Sequence, residues 1–156
     1  MKLGAIYSKE KTTFTLFSPV ADSVFVIFYD KGNDSAEIGR LEMMRGEGEL
    51  RSIFSATAEG NLDGVYYTYE VHTSDGTFSS HDPYARACGV NGHRSMVIDL
   101  SKTDPDGFAD EDRPKLADPM SMVITEVSVA DVSAGASAHS RYPGKFKAFT
   151  EAKTLS

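Results

Sequence analysis

Acidic side chains are the most numerous groups in this chain that could do chemistry. A glycosidase that retains configuration needs two carboxylates flanking one bond, about 5–5.5 Å apart. Nearly all the acidic candidates here stand in turn-forming stretches, where aspartate caps and turns the backbone. They are Asp30, Asp34, Asp63, Asp75, Asp82, Asp104, Asp106, Asp110, Glu111 and Asp112. This distribution favours turn formation and predicts no catalytic carboxylate pair.

The other candidate ligands and nucleophiles are few. The four histidines are His72, His81, His93 and His139. No pair of them has helical i, i+4 spacing, and no cysteine or carboxylate frames them at ligand spacing. Cys88 is the single cysteine, so neither an internal disulfide nor a cysteine-based metal framework can form. The sequence therefore predicts no catalytic residue, no metal site and no cofactor.

Aromatic side chains are the remaining group with binding potential, with nine Phe, seven Tyr and no Trp. Sugars are bound by flat aromatic faces and a few polar side chains, because a pyranose ring has an apolar face and a polar rim. Most aromatic residues here alternate along predicted strands, which indicates core packing. Tyr66, Phe78 and Tyr84 stand in turns or on outward faces, where they could contact sugar instead.

The elements that must position these residues are predicted to be strands. About seven short strands recur at a spacing of roughly ten residues, separated by Gly, Asn, Asp and Pro. They are expected at Thr12–Ser18, Ser23–Asp30, 37–44, 49–58, Val65–Thr73, 77–80 and Arg94–Leu100. The pattern predicts an all-β chain, an immunoglobulin-like (early-set) β-sandwich with an extended C-terminal segment.

The domain organisation follows from changes in composition. Residues 1–102 are expected to form the sandwich. Residues 103–120 are polar, hold three prolines and are predicted to be a linker. Residues 121–156 begin with an apolar run, and we predict a strand at Met122–Val132. This strand is expected to add to a sheet edge, with a flexible tail as the alternative.

The net charge of −7 argues against a nucleic-acid partner, which would need clustered lysine and arginine. The 16 basic residues are scattered along the chain. The start of the chain shows no apolar signal-peptide region, and no run approaches the roughly 18 apolar residues of a membrane span. A cytoplasmic protein is expected, with neutral sugar or another protein as its partner.

Three stretches resemble type I pullulanases, debranching enzymes of the alpha-amylase superfamily, in the right order and spacing. They read TTFTLFSPVADSVFVIFYD, GNLDGVYYTYEV and HDPYARACGVNGHRSMVIDL. The resemblance implies an N-terminal module of the isoamylase-N type, a glycogen- and starch-binding module. Ser121–Ser133 would then lie at the first strand of the catalytic barrel. The family's nucleophile and acid/base lie on later barrel strands, so the resemblance implies a non-catalytic chain.

The resemblance also implies sugar-binding residues. Compared with the glycogen-binding module of the AMP-activated kinase beta subunit, Phe78 stands near a sugar-stacking tryptophan. Asn91 stands near an amide that contacts glucose, and Thr68 replaces a lysine on the outward face. Together with Tyr66, these residues are the predicted α-glucan site. Only Asn91 keeps the chemistry of its counterpart, so weak binding is expected.

Docking on the catalytic barrel is the other function that remains open, and Asp82, Pro83 and Tyr84 are its predicted residues. The family's barrel strand reads close to YEVHVRDFS, whereas residues 125–133 read TEVSVADVS, with smaller side chains. The alternative interpretation is therefore an engineered, stand-alone β-sandwich fragment without sugar binding and with a structural or assembly role. A free edge strand would also allow self-association.

Overall fold

The computed structural model describes residues 2–111 and 115–151, and the chain divides into two compact units, Met1–Ala109 and Asp110–Ser156. The first unit contains nine strands. They are β1 (Gly4–Tyr7), β2 (Lys11–Phe17), β3 (Ser23–Tyr29), β4 (Glu37–Arg45), β5 (Ile53–Glu59), β6 (Tyr66–Thr73), β7 (Gly76–Ser80), β8 (Ala87–Cys88) and β9 (Ser95–Met96). The second unit contains a short helix, α1 (Val129–Ala134).

The strands pair antiparallel and curl into an immunoglobulin-like β-sandwich, as predicted. Their order is β1–β2–β5–β4–β3–β6–β9–β8, and β7 pairs with β6. Strand β4 pairs with β3 along most of its length and with β5 at its end, through Met44 and Arg45. It therefore connects the two layers of the sandwich, whose inner faces meet in the core.

Alternation along the strands builds this core, because successive side chains of a strand point to opposite faces. Phe14 packs edge-on against Tyr67, with ring centroids 5.0 Å apart. Tyr67 in turn packs against Tyr69 at 5.8 Å. The fully or nearly buried members of the core are Phe14, Leu16, Ala21, Val24, Val26, Met43, Phe54, Tyr67, Tyr69 and Val97.

The last predicted strand, Arg94–Leu100, is mostly wrong. Only Ser95–Met96 forms a ladder, and a 3-10 helix occupies Leu100–Lys102. The Asp99 carboxyl caps this helix by accepting a hydrogen bond from the Ser101 amide. A capping aspartate competes with ladder pairing, which explains the early end of the strand. The structure also adds the short strands β1 and β8, which the pattern missed.

The predicted strand at Met122–Val132 is wrong. Residues 122–128 pair with no strand in the described part of the chain, and α1 begins at Val129. The Ser128 hydroxyl caps α1 by accepting a hydrogen bond from the Asp131 amide. An N-cap serine before alanine, aspartate and serine favours a helical turn. The same unit has 3-10 helices at Pro119–Ser121 and Phe146–Thr150.

The predicted boundaries at 102 and 120 stay predictions. The division between the two units falls inside the proposed linker, after Ala109. Residues 112–114 of that linker and 152–156 of the C-terminal segment lie outside the described residues. None of the described helices is long and apolar enough to cross a membrane.

Candidate functional site

A polar depression of about 360 Å³ opens on the outer face of the sandwich. The outward residues of β3, β6 and β7 form its floor, and two loops form its walls. One loop follows β3, and the other precedes β9. The lining residues are Tyr29, Asn33, Asp34, Thr68, Ser79, His93 and Arg94. Hydroxyl, amide, carboxyl and imidazole groups therefore converge on one small cavity, which is the composition of a site that binds polar ligands.

The floor is held by a contact between neighbouring strands. The Tyr29 and Thr68 hydroxyls lie 3.3 Å apart and form a hydrogen bond. Thr68 is buried, whereas Ser79 on the next strand is exposed. Ser79 is the neighbour of Glu70 in the ladder, so it shares a face with Thr68, two residues earlier on β6.

Arg94 connects the two walls. Its guanidinium donates to the Lys31 carbonyl at 2.7 Å, and to the Ser35 hydroxyl and carbonyl at 2.8 and 2.9 Å. The guanidinium carbon also lies 3.5 Å from the centroid of the Tyr29 ring, within the range of a cation–π contact. The loop after β3 is therefore fixed to the loop before β9.

The two loops also touch through their backbones. A Cβ placed on Gly89 would lie 2.5 Å from the Gly32 Cα, which is closer than real side chains come. Both positions therefore require glycine. A Cβ on Gly32 would also meet the Tyr66 ring at 3.1 Å. The walls are thus set before any ligand arrives, which lowers the entropic cost of binding.

The four predicted sugar-binding residues do not form one site. Thr68 lies in the floor of the depression, and Tyr66 packs behind its wall against Gly32. Phe78 is 53% exposed, but its ladder partner is Val71. It therefore points to the opposite face from Thr68. Asn91 is exposed at the tip of its loop, with φ 54°, and does not line the depression.

Several residues that line the depression were not among the predicted sugar-binding residues. Tyr29 lies in the predicted strand Ser23–Asp30, but it alternates with the inward Phe28 and therefore faces outward. Ser79 stands one position from the predicted Phe78, and a shift of one residue changes the face of a strand. Asn33, His93 and Arg94 depend on two loops that meet only in the folded chain, so no local signal marked them.

Asp82, the first residue of the predicted docking turn, is only 4% exposed. Its carboxyl accepts hydrogen bonds from the Tyr67 and Tyr69 hydroxyls at 2.7 and 3.2 Å, and from the Tyr84 amide at 2.8 Å. Its own amide donates to the Ser95 hydroxyl at 2.8 Å. Burial, followed by the nearby Asp82 carboxyl, raises the pKa of both tyrosines. Asp82 therefore cannot reach another domain, which corrects its predicted role.

Pro83 and Tyr84 are exposed beside a second cavity, a groove of about 320 Å³. Exposed apolar side chains line it, with Tyr84 at 51%, Leu100 at 43% and Ile6 at 42% exposure. The chain beside the groove requires glycine at position 4. The φ of Gly4 is +90°, and the Tyr84 Cβ lies too close for a side chain at this position. Polar side chains line the same groove, among them Lys2, Arg86 and Asp99. An exposed surface that mixes apolar and polar side chains can dock another domain.

The described residues contain no cluster of three His, Cys, Asp or Glu side chains that could hold a metal ion. Cys88 is exposed and forms no disulfide.

The family comparison matches residues 2–85, more than half of the 156-residue chain, to "Carbohydrate-binding module 48 (Isoamylase N-terminal domain)". The chain belongs to the carbohydrate-binding module 48 family. This match spans β1 to β7 and the Asp82 turn. Residues 2–85 thus match a carbohydrate-binding module, and the matched family model is not that of a catalytic barrel.

The relatives of this family module are much longer proteins. Pullulanase A of Streptococcus pneumoniae serotype 4 is 31% identical over 116 residues, which are 70% of this chain and 9% of that protein. The pullulanase of Bacillus subtilis strain 168 is 26% identical over 155 residues, 98% of this chain and 20% of that protein. The chain therefore spans between 9% and 20% of these two relatives.

Solved pullulanases share its structure. The Paenibacillus barengoltzii pullulanase, in complex with maltohexaose and alpha-cyclodextrin, has a TM-score of 0.85 at 34% identity. The alignment covers 97% of this chain and 23% of that one. The Bacillus acidopullulyticus pullulanase has a TM-score of 0.84 at 35% identity, covering 97% and 18%. This chain is thus an N-terminal carbohydrate-binding module of the type found in pullulanases, as the resemblance implied.

Proposed function

We propose that this chain binds α-glucan weakly, as the N-terminal module of a pullulanase-type debranching enzyme. The depression carries this proposal, because preset loops bring polar groups around one cavity of about 360 Å³. Hydroxyl, amide and carboxyl groups suit the hydroxyl-rich rim of a sugar. Two related solved pullulanases, from Paenibacillus barengoltzii and Anoxybacillus, are complexed with maltooligosaccharides.

We expect weak affinity because the site offers a sugar a small number of hydrogen bonds. Each net hydrogen bond contributes about 0.5–1.5 kcal/mol, and a dissociation constant of about 1 mM corresponds to about −4.1 kcal/mol. Three such bonds, on Thr68, Ser79 and Asn33, would contribute about 1.5–4.5 kcal/mol, so a dissociation constant in the millimolar range or above is expected. Tighter binding would require an aromatic platform, and the Tyr29 ring already carries the Arg94 guanidinium.

Titration calorimetry with maltoheptaose tests this site. Thr68→Val and Ser79→Ala should each weaken binding, because each removes a hydroxyl from the depression. Phe78→Ala is the matched control: it lies on the same hairpin but points to the other face, so it should leave the heat unchanged. If Phe78→Ala alone lost binding, the sugar site would lie at Phe78 and not in the depression. No heat from the unaltered chain at millimolar ligand would exclude sugar binding.

We also propose docking of this module on another domain of its enzyme, through the groove beside Tyr84. The exposed apolar side chains of Tyr84, Ile6 and Leu100 support this second function, because such patches mark protein contacts. Tyr84→Asp should lower the thermal stability of a full-length enzyme carrying this module, yet leave the isolated module nearly unchanged. Phe78→Asp, at a similarly exposed aromatic residue, is the control. Equal effects of both variants on the enzyme would contradict docking at the groove.

Self-association is a third proposal, and it rests on the second unit. Met122, Val123 and Ile124 are 50%, 91% and 81% exposed in a segment without strand pairing among the described residues. An extended apolar segment of this kind can pair with a sheet edge of another copy. Analytical ultracentrifugation should then show a concentration-dependent dimer that Ile124→Asp abolishes. A monomer at all concentrations would exclude it.

A further inference from the structure

We infer that Arg94 is a positioning residue: it fixes the Lys31–Ser35 wall of the depression and occupies a face of the Tyr29 ring. The site would then recognise sugar hydroxyls through polar groups instead of stacking a sugar on tyrosine. This inference rests on the proposed α-glucan binding at the same depression. The clamp itself, however, is a property of the free chain and can be tested without sugar.

The three side-chain hydrogen bonds of Arg94 all go to one wall. Its three hydrogen bonds end on the Lys31 carbonyl and on two oxygens of Ser35, at 2.7 to 2.9 Å. Lys31 and Ser35 bracket Asn33 and Asp34, the two lining residues of that wall. A guanidinium offers several donors in a rigid fork. One side chain therefore fixes both ends of a five-residue loop.

The wall would otherwise have few constraints. It bends through Asp34, whose φ is 48°, in a region that residues other than glycine seldom adopt. The Gly32–Gly89 contact holds one point of the loop. The Arg94 hydrogen bonds hold the carbonyl before that contact and the residue after Asp34. Removing them would let Asn33 and Asp34 leave the cavity, while the strand-borne floor at Thr68 and Ser79 stays in place.

The stacked guanidinium also decides what kind of contact the site offers. It lies 3.5 Å from the Tyr29 centroid, so that ring face is closed to a pyranose. Aromatic contacts with sugars use the flat face of the ring. The remaining lining groups are hydrogen-bonding side chains, which read the hydroxyls of a glucan. A short stretch of α-glucan, the ligand of the proposed function, would then be bound through the hydroxyl groups on its rim.

Arg94→Lys is the decisive variant, because lysine keeps the positive charge but loses the fork. We expect faster hydrogen exchange at the amides of residues 32–35 in the free protein. With maltoheptaose we expect about tenfold weaker binding, equivalent to about 1.4 kcal/mol. In NMR titrations, the shift changes at Asn33 and Asp34 should shrink, whereas those at Thr68 and Ser79 should persist. A purely structural defect would diminish all four together.

Arg40→Lys is the matched control. Arg40 lies on the same outer face, but it bonds Glu37 and Glu70 and does not line the depression. It should change neither loop exchange nor affinity. Ser35→Ala removes one of the three acceptors and should give a smaller effect in the same direction. This variant keeps the test available if Arg94→Lys folds poorly.

The possible failures are distinguishable. Unchanged exchange at residues 32–35 in Arg94→Lys would overturn the clamp, whatever the sugar does. Equal or tighter binding of maltoheptaose by Arg94→Lys would also overturn the inference, since Arg94 would then be irrelevant or an obstacle. Absence of binding by the unaltered chain, with faster loop exchange in the variant, would instead remove the proposed function and the hydroxyl-reading role while keeping the loop clamp.

Discussion

Asp82 and Arg94 stand twelve positions apart and both hold distant segments together, yet they do so in different surroundings. Asp82 is 4% exposed and accepts hydrogen bonds from two core tyrosines. Arg94 is half-buried at the surface and donates to a loop about 60 positions earlier in the chain. The comparison separates two tasks: the buried carboxyl joins the core of the sandwich, and the half-buried guanidinium shapes a cavity on its outside.

The difference lies in the cost of losing each contact. A buried polar group without a partner pays the full desolvation penalty, whereas groups near the surface can turn to water. Tyr67 and Tyr69 have no water to replace Asp82, since both are fully buried. The Lys31 and Ser35 oxygens that Arg94 holds can be solvated. Changes at Asp82 should therefore reduce stability, and changes at Arg94 should mainly alter the local loop.

Asp82→Ala should have the largest effect. It leaves two buried tyrosine hydroxyls and the Tyr84 amide without their acceptor. We expect a loss of about 3 kcal/mol in the free energy of unfolding, measured by urea denaturation. Asp82→Asn keeps an acceptor and should lose less. Equal stability of Asp82→Ala and the unaltered protein would contradict the stabilising role of the buried Asp82 carboxyl.

Gly89→Ala should cause the second-largest loss of stability, because the added methyl group disrupts the contact between the two loops. Its Cβ would lie 2.5 Å from the Gly32 Cα, so backbone must move, at a cost of about 2 kcal/mol. Gly39→Ala is the control, since its Cβ would meet only Phe28, at 4.0 Å. Calorimetric unfolding of both variants would measure the difference. Similar melting of the two would show that the loops adapt freely.

Tyr67→Phe should have a smaller effect and would sharpen the account of the Asp82 cluster. It removes the 2.7 Å hydrogen bond but leaves Asp82 with Tyr69 and the Tyr84 amide. We expect about 1 kcal/mol of destabilisation in urea. Tyr7→Phe, which removes a hydrogen bond to the side chain of Asn61 at the surface, should cost less. The reverse order would mean that burial does not set the cost.

The smallest effect is expected at an exposed ion pair. Lys102 donates to the Asp63 carboxyl at 2.6 Å and, together with the Asp99 amide, holds the pKa of Asp63 below its usual value. Because the folded pKa is lowered, the pair stabilises the protein above pH ~4 and loses this contribution as the pH falls through the folded pKa. Lys102→Met should raise the pKa of Asp63 in an NMR titration. An unchanged midpoint would show that solvent screens the pair.

The strand pattern was predictable where one face of a strand packs into the apolar core, as in β2 and β6. There the alternation of Phe14 with threonine, or of Tyr67 with Thr68, directly reflects the core. The pattern failed for Arg94–Leu100, because Asp99 caps a turn instead of extending a ladder. It also failed at Met122–Val132, where the apolar residues predicted a strand but Ser128 caps a helix that begins at Val129.

The site was less predictable than the fold. Of the predicted sugar-binding residues, Thr68 lines the depression, whereas Phe78 points to the face opposite that of Ser79. The face of a hairpin residue depends on its ladder partner, and the pairing of Val71 with Phe78 is visible only in the structure. Likewise, Asp82 is typical of an exposed turn in sequence, yet it lies in the core.

The sequence by itself determined the family, because three ordered stretches resemble it, and the sandwich, because alternation and turn residues act over a few neighbouring positions. Only the tertiary structure decided which residues share a cavity. Tyr29, Ser79 and Arg94 meet through ladder register and through two loops that touch backbone to backbone. Such contacts join residues about 60 positions apart, and no local pattern encodes them.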